Sequence, residues 1–257
     1  MPTLKSADAC LSYDVAGSGD TLLFLHGVGS TRTTWAPQMA EFAGSYRVVA
    51  LDCRGHGDSQ SAPESISLEA FATDAAAVIE REGPPAHLCG LSMGAVVALV
   101  LWRGRRELVR SLVLADAWAY HPQAAAGLTE RLAAIDSASM PELARARMPA
   151  VLAPEADPGL VERAVATMAN KDKAAYRRSN EVLWAADLRD LARTVTVPVL
   201  VIVGAVDRIT PPPLSRELAA LIPGARLEVL EGAGHLSNEE APEAFNAVLR
   251  DFLAKVA

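Results

Sequence analysis

The sequence predicts an α/β protein on three observations. Short strand-like runs alternate with helical segments along the chain. These runs are almost continuous in apolar residues, which is typical of parallel strands covered by helices on both faces of a sheet. At 257 residues the chain is long enough to bury a substantial core. The six runs of this kind lie at residues 21–25, 46–51, 86–89, 109–115, 197–203 and 226–230.

The two ends of the chain complete the predicted sheet and its cover. Residues 4–7 and 10–15, with the turn 17–20 after them, predict an antiparallel hairpin that leads into the first parallel strand and brings the total to eight strands. Residues 242–256 have apolar side chains at helical spacing. We expect this stripe to pack on the sheet; it consists of Phe245, Val248, Leu249 and Phe252.

A helical insertion interrupts the alternation of strands and helices after the sixth strand. From Asp116 to about Arg193 the sequence is rich in Ala, Arg, Glu, Leu and Met, with prolines between the helical runs. Strand-like sequence resumes at residue 197. We therefore predict a helical lid at residues 117–192, inserted in a core formed by residues 1–116 and 193–257.

Composition excludes several classes of partner. The chain carries 24 Lys and Arg against 31 Asp and Glu, a formal charge of −7, without the clustered positive charge that nucleic acids require. No apolar run approaches the roughly 20 residues of a membrane span, and no signal peptide is readable, so we expect a cytoplasmic protein without membrane contact. The cysteines Cys10, Cys53 and Cys89 are too scattered for a disulfide framework. A small-molecule substrate is expected, and a homo-oligomer is left open.

The most specific motif is Gly90-Leu91-Ser92-Met93-Gly94, which follows a predicted strand and opens a predicted helix. A serine on such a G-x-S-x-G turn is exposed at the strand end, where its hydroxyl can act as a nucleophile. The amide of Met93 at the helix N-terminus would stabilise an oxyanion. The alternative interpretation is a glycine-rich turn without chemistry.

A second oxyanion donor is expected in the segment 26–30, His26-Gly27-Val28-Gly29-Ser30, directly after the first parallel strand. This segment resembles the oxyanion loop of the α/β-hydrolases, and we assign the donor to the amide of Val28. The same resemblance implies a structural role for His26.

A nucleophilic serine needs a base, and His235 is the best placed of five histidines. It follows the last predicted strand in a Gly-Ala-Gly-His loop. The other four lie beside the G-x-S-x-G turn at residues 90–94 (the elbow), in the turn 52–59, within a strand and at the lid entrance; they are His26, His56, His87 and His121. For the acid, Asp207 resembles the usual acid loop of the α/β-hydrolases, and Asp116 is the alternative.

The ordered set of Ser92, Asp207 and His235, with the segment 26–30 and the turn 54–59, resembles the α/β-hydrolase superfamily along nearly the whole chain outside the lid. The resemblance implies an enzyme without metal or cofactor, whose pocket lies between sheet and lid. Relatives with an aspartate nucleophile, the dehalogenases and epoxide hydrolases of this fold, do not match the serine.

Within the superfamily, residues 234–246, 89–94 and 198–204 resemble the 3-oxoadipate enol-lactonases. His26 departs from this pattern, because many of those lactonases have asparagine there. The resemblance implies hydrolysis of a small carboxylic ester or lactone, such as an enol-lactone of aromatic catabolism. The alternatives are a carbon-carbon bond hydrolase of meta-cleavage products and a ligand receptor on the same fold.

The substrate pocket is less well defined by the sequence. Large rings in or near the lid are the candidates for its walls, with packing between lid and core as an equal alternative; they are Trp35, Trp118, Tyr120, His121 and Trp184. A carboxylate-bearing substrate would also need a cation. The lid offers Arg131, Arg145, Arg147, Arg163, Arg177 and Arg178, most of which we expect to face solvent.

Overall fold

The computed structural model describes residues 2–256 of the chain, except for the side chain of residue 125. Its eight strands are β1 (Thr3–Ser6), β2 (Ala9–Ala16), β3 (Thr21–Leu25), β4 (Arg47–Leu51), β5 (Ala86–Leu91), β6 (Val109–Ala115), β7 (Val199–Gly204) and β8 (Arg226–Leu230). The helices of the core are α1 (Ala36–Phe42), α2 (Leu68–Glu82), α3 (Met93–Gly104), α10 (Pro212–Leu221), α11 (Ser237–Glu240) and α12 (Pro242–Val256). None of the helices in residues 2–256 is both long and apolar enough to cross a membrane.

The strands form one sheet in the order β1-β2-β4-β3-β5-β6-β7-β8. All pairs from β4 to β8 are parallel, and both pairs that involve β2 are antiparallel. Strands β3, β5 and β7 are buried along their whole length, as their unbroken apolar sequences require. The predicted fold class, a mostly parallel eight-stranded sheet flanked by helices, is confirmed.

The N-terminal hairpin lies beside β4 and not beside β3. Strand β2 pairs antiparallel with β4, where Tyr13 is opposite Leu51. Both edges of β3 already bond to parallel neighbours, β4 and β5, so no edge of β3 remains for the hairpin. The predicted antiparallel hairpin is present and leads along the chain into β3, the first parallel strand, while its place in the sheet is beside β4.

The helical lid lies between β6 and β7, after the sixth strand, as the fold prediction requires. Its helices are α4 (Pro122–Ala126), α5 (Leu128–Ser137), α6 (Met140–Val151), α7 (Pro158–Ala169), α8 (Lys173–Trp184) and α9 (Arg189–Ala192). Side chains cap several of their N-termini: Ser139 forms a capping box with Glu142 on α6, and Asp157 and Asp172 cap α7 and α8. The domain boundaries at residues 117 and 192 remain a prediction.

The C-terminal helix α12 spans the residues expected from its apolar stripe. Phe245, Leu249 and Phe252 are buried, and Val248 is half-buried. The ring of Phe245 lies 6.0 Å from that of Trp35, which itself stacks on Phe24 of β3 at 4.9 Å. Helix α12 is thereby fixed to the centre of the sheet, close to the strand end from which the segment 26–30 departs.

Candidate active site

Ser92 occupies a sharp turn between β5, which ends at Leu91, and α3, which begins at Met93. Its backbone has φ 53° and ψ −109°, a region that residues other than glycine rarely adopt. The turn is held because the Ser92 amide donates a hydrogen bond to the carbonyl of Ala115 at 2.8 Å. The predicted G-x-S-x-G context, a strand followed by a helix, is therefore present.

The glycines on either side of Ser92 are required by close backbone contacts. A Cβ on Gly90 would overlap the carbonyl group of Gly94, and a Cβ on Gly94 would overlap the carbonyl oxygen of Leu25. These contacts bring the start of α3 directly against β3 and β5. Any larger residue would push the helix, and with it Ser92, out of place.

Three residues far apart in the chain meet at Ser92. His235 Nε2 lies 3.0 Å from Ser92 Oγ, and His235 Nδ1 lies 2.8 Å from Asp207 Oδ2. All three side chains are buried or nearly so. The loop that carries His235 is tied to the lid, because the His235 amide donates to the carbonyl of Val151 at 2.8 Å.

The carboxylate of Asp207 is surrounded by donors. Its Oδ1 accepts the backbone N–H groups of Ile209 at 2.7 Å and Thr210 at 3.0 Å, and the Thr210 hydroxyl lies 2.8 Å from Oδ2. Burial opposes ionisation of Asp207. The charge of His235 and these hydrogen bonds outweigh burial and hold the pKa of Asp207 below its usual value.

Two opposite effects act on the pKa of His235. Burial would lower its pKa, but the charge and hydrogen bond of Asp207 raise it to a net value above the usual 6.5. With Asp207 ionised, the proton of neutral His235 sits on Nδ1, which donates to the carboxylate. Nε2 is then the acceptor that faces the Ser92 hydroxyl.

Asp116, the alternative acid, points elsewhere. Its Oδ1 accepts the Gly204 amide at 2.9 Å, and its Oδ2 accepts the Ser237 hydroxyl at 2.6 Å. Within residues 2–256 it makes no hydrogen bond to His235. Complete burial and the nearby charge of Asp207 raise the pKa of Asp116 to about 8. Asp116 therefore connects the end of β7 to the start of α11.

The two predicted oxyanion donors lie beside Ser92. A Cβ placed on Gly27 would come within 3.5 Å of Ser92 Cβ, so the segment 26–30 lies against the elbow. Val28 lines the cavity in front of Ser92, and Met93 is the first residue of α3. Among the described residues, neither the Val28 nor the Met93 N–H donates a hydrogen bond within the chain. Both donors are therefore available to a ligand.

His26 has a defined structural environment. The amide of Cys53 donates to His26 Nε2 at 3.1 Å, so the ring proton is on Nδ1, which donates to the carbonyl of Gly27 at 2.8 Å. Burial lowers the pKa of His26 to about 3, which keeps the ring neutral. His26 thus links the oxyanion segment to the chain after β4, in agreement with a non-catalytic role.

A cavity of about 470 Å³ opens in front of Ser92, between sheet and lid. Its walls come from the segment 26–30, the His235 loop and the lid helices α6, α7 and α8. Two of the six lid arginines, Arg147 and Arg163, line the cavity, as does Glu239. Among residues 2–256, no carboxylate lies within ion-pair distance of Arg147.

Of the five aromatic residues expected at the pocket wall, Trp184 lines this cavity. Trp118 stacks behind it, with ring centroids 4.6 Å apart. Trp35 is buried between Phe24 and Phe245, and the guanidinium of Arg189 covers Tyr120. The side chain of His121 caps the N-terminus of α4, and its Nε2 lies 3.1 Å from the carbonyl oxygen of Ile209. Trp35, Trp118, Tyr120 and His121 are not among the residues that line this cavity, and their contacts fit the alternative that the sequence left open, packing against protein.

Sequence reasoning missed Thr210 and Lys171. The Thr210 hydroxyl lies 2.8 Å from Asp207 Oδ2 and 3.2 Å from His235 Nδ1. The sequence feature that indicates Thr210 is its spacing from Asp207, since a threonine three residues after an aspartate can complete a side-chain turn. Lys171 gave no comparable signal, because its contact is 141 residues away in the chain. No group of three or more potential metal ligands occurs in residues 2–256.

Known proteins of one family are similar to this chain over almost its whole length. The model of the α/β-hydrolase family matches residues 22–248. The 3-oxoadipate enol-lactonase 2 of Acinetobacter baylyi is 31% identical over 97% of this chain and 97% of its own.

Two solved structures are similar over almost their full lengths. The enol-lactonase of Burkholderia xenovorans has 29% identity and a TM-score of 0.91 over 98% of this chain and 100% of its own. A thermophilic esterase of Thermogutta terrifontis has 27% identity and a TM-score of 0.92 over 100% of this chain and 99% of its own. The resemblance found in the sequence is thereby confirmed: the chain is a hydrolase and belongs to the α/β-hydrolase family.

Proposed function

We propose that the chain is a serine hydrolase of small carboxylic esters or lactones, with Ser92 as nucleophile, His235 as general base and Asp207 as the acid that orients His235. The observation that carries this proposal is the continuous hydrogen-bond path from Ser92 Oγ through His235 to Asp207, at 3.0 and 2.8 Å. A nucleophile, a base and an orienting acid in this arrangement are the requirements for acyl transfer.

In the proposed reaction, Ser92 Oγ attacks the carbonyl carbon while its proton moves to His235 Nε2. The N–H groups of Val28 and Met93 stabilise the resulting oxyanion. As the tetrahedral intermediate collapses, His235 returns the proton to the leaving oxygen, which leaves as an alcohol or, in a lactone, stays attached to the acyl chain. Water then repeats the sequence on the acyl-enzyme and releases the acid.

The cavity favours a compact, negatively charged substrate. Lid helices close over the site, so a long acyl chain or a polymer would have to displace them. Arg147 offers a cation without an ionic partner among the described residues. A relative at 31% identity is an enol-lactonase, and the similar Thermogutta esterase was solved with malate bound. We therefore infer a carboxylate-bearing lactone or ester from aromatic catabolism.

A panel of substrates tests this proposal. We expect 3-oxoadipate enol-lactone to give a higher kcat/KM than a neutral short ester, a long-chain ester or a ring-cleavage dienoate. Preferential cleavage of the dienoate would identify a carbon-carbon bond hydrolase, and binding without turnover of any compound would indicate a receptor. A tenfold preference for long-chain esters over all short or anionic compounds would contradict the closed pocket.

The same panel measures the contribution of Arg147. We expect Arg147→Met to lower kcat/KM for the anionic lactone about tenfold or more, because a charge-assisted hydrogen bond contributes roughly 1.5–3 kcal/mol. Activity on the neutral ester should change little. Arg145→Met is the matched control, since Arg145 lies on the same helix but is exposed and outside the cavity. Equal losses in both variants would argue against carboxylate recognition by Arg147.

The pH dependence tests His235 as the base. Protonated His235 has no lone pair on Nε2, so activity should fall as pH drops through its pKa. Because Asp207 raises that pKa, half-maximal kcat/KM on a neutral ester should lie above pH 6.5. A pH-rate profile from 5 to 9 measures this, and a flat profile between pH 5 and 8 would contradict the mechanism.

A further inference from the structure

Lys171 is a buried lysine that the proposed mechanism does not use. It lies in the lid, between α7 and α8, and is 8% exposed. Its Nζ donates a hydrogen bond to the carbonyl of Ser30, 141 residues earlier in the chain. The neighbouring Met168 lies against the same segment, since its sulfur is 3.9 Å from where a Cβ on Gly29 would be. The end of α7 is thus fixed to the segment that follows β3.

The carbonyl that Lys171 holds belongs to the turn that presents Val28. The Ser30 amide donates to the Gly27 carbonyl at 3.0 Å, which closes a turn with Val28 and Gly29 at its corners. His26 Nδ1 also donates to the Gly27 carbonyl, at 2.8 Å. The first residue of the turn is therefore held from within the core, and the last by Lys171 of the lid.

The environment of Lys171 does not explain its burial by ion pairing. In the described part of the chain, no carboxylate lies within ion-pair distance of its Nζ. The charge of the Asp52 carboxylate acts on Lys171, but the oxygens of Asp52 already accept the Arg32 amide, the Arg32 guanidinium and the Asp58 amide. The remaining titratable groups around Nζ are Cys53, His26 and His56.

Burial lowers the pKa of Lys171 to about 8, against the usual 10.5. Its charged form is therefore less favourable in the folded protein than in the unfolded chain at neutral pH. Its direct contact in the structure is the carbonyl of Ser30, to which the ammonium group donates a hydrogen bond.

We propose that Lys171 is a positioning residue, which holds the 27–30 turn so that the Val28 N–H faces the oxyanion. Because Lys171 belongs to the lid, this half of the oxyanion hole depends on the lid. The inference rests on the proposed use of Val28 in acyl transfer. Lys171 itself touches no reacting atom. It acts through the Ser30 carbonyl, and therefore affects kcat more than substrate binding.

The test compares Lys171→Met with Lys173→Met. Both lysines are in the lid and both donate to backbone carbonyls. The partners of Lys173 in the described residues are the carbonyls of Asp136 and Ala138, at 2.8 Å each, and both belong to the lid. We expect Lys171→Met to lower kcat on a neutral nitrophenyl ester about tenfold, with KM within twofold and a melting temperature close to that of the wild type. Lys173→Met should keep the wild-type kcat.

Hydrogen exchange provides a readout that needs no turnover. Amides of residues 27–30 should exchange faster in Lys171→Met than in the wild type, and at the wild-type rate in Lys173→Met. If the methionine variant does not fold, Lys171→Gln replaces it, because the shorter amide should not reach the Ser30 carbonyl. Wild-type kcat and exchange rates in the folded Lys171 variant would overturn the proposal. If the wild type hydrolyses no ester, the proposed function fails, and the exchange rates alone decide whether Lys171 holds the turn.

Discussion

Ser92→Ala should lower kcat by about 10⁵-fold or more while the fold is retained, as for the loss of a catalytic serine in other serine hydrolases. The substitution removes one hydroxyl, the atom that His235 Nε2 faces at 3.0 Å. Alanine has the same backbone restrictions as serine at φ 53°, so the strain of the turn does not change. Steady-state hydrolysis of a nitrophenyl ester and thermal unfolding together measure both parts of this expectation.

Ser111→Ala is the matched control for this variant. Ser111 on β6 is also buried and also bonds a histidine, with its hydroxyl 2.8 Å from His87 Nδ1, but it lies outside the cavity. Its loss should reduce stability by roughly 1 kcal/mol and leave kcat unchanged. Wild-type turnover by Ser92→Ala would show that another group attacks the substrate. Equal losses in both variants would show that the loss does not come from removal of a nucleophile.

The parts of this site that could be predicted are those in which a local sequence pattern determines geometry. Gly90, Ser92 and Gly94 predict the elbow because only glycine fits the contacts at its two sides. His235 is predicted from its position after the last strand, since parallel strands bring their carboxyl ends to one edge of the sheet. Asp207 and Asp116 both follow strands, and the resemblance to the acid loop of the α/β-hydrolases favours Asp207. The structure places His235 and Asp207 within hydrogen-bond reach of the proposed path.

The parts that could not be predicted depend on contacts between distant segments. Lys171 meets Ser30 across 141 positions, and nothing in its neighbouring sequence indicates a buried lysine. Trp35 and Trp118 have large rings of the kind that line substrate pockets, yet Trp35 packs in the core and Trp118 stacks behind Trp184. The pairing of β2 with β4 likewise depends on which sheet edge is free, which local sequence does not encode.

Asp207→Asn should lower kcat by about 10³–10⁴-fold, whereas Asp116→Asn should stay within about tenfold of the wild type. Two backbone N–H groups, of Ile209 and Thr210, hold Oδ1 of Asp207, so the oxygen of the asparagine amide will take that place. Its NH₂ group then faces His235 Nδ1. The imidazole must accept there, which puts its proton on Nε2, where it can no longer take the proton of Ser92.

At position 116 the same change has a mild effect, because the asparagine oxygen can still accept the Gly204 amide and its NH₂ can donate to the Ser237 hydroxyl. Burial and the charge of Asp207 raise the pKa of Asp116, whereas the pKa of Asp207 is lowered, so ionisation is disfavoured at Asp116 and favoured at the carboxylate that bonds His235. Parallel measurement of kcat at pH 7, with melting temperatures as the control for folding, compares the two variants. An inactive Asp116→Asn beside an active Asp207→Asn would reverse the assignment, since only the carboxylate that orients His235 fixes its tautomer.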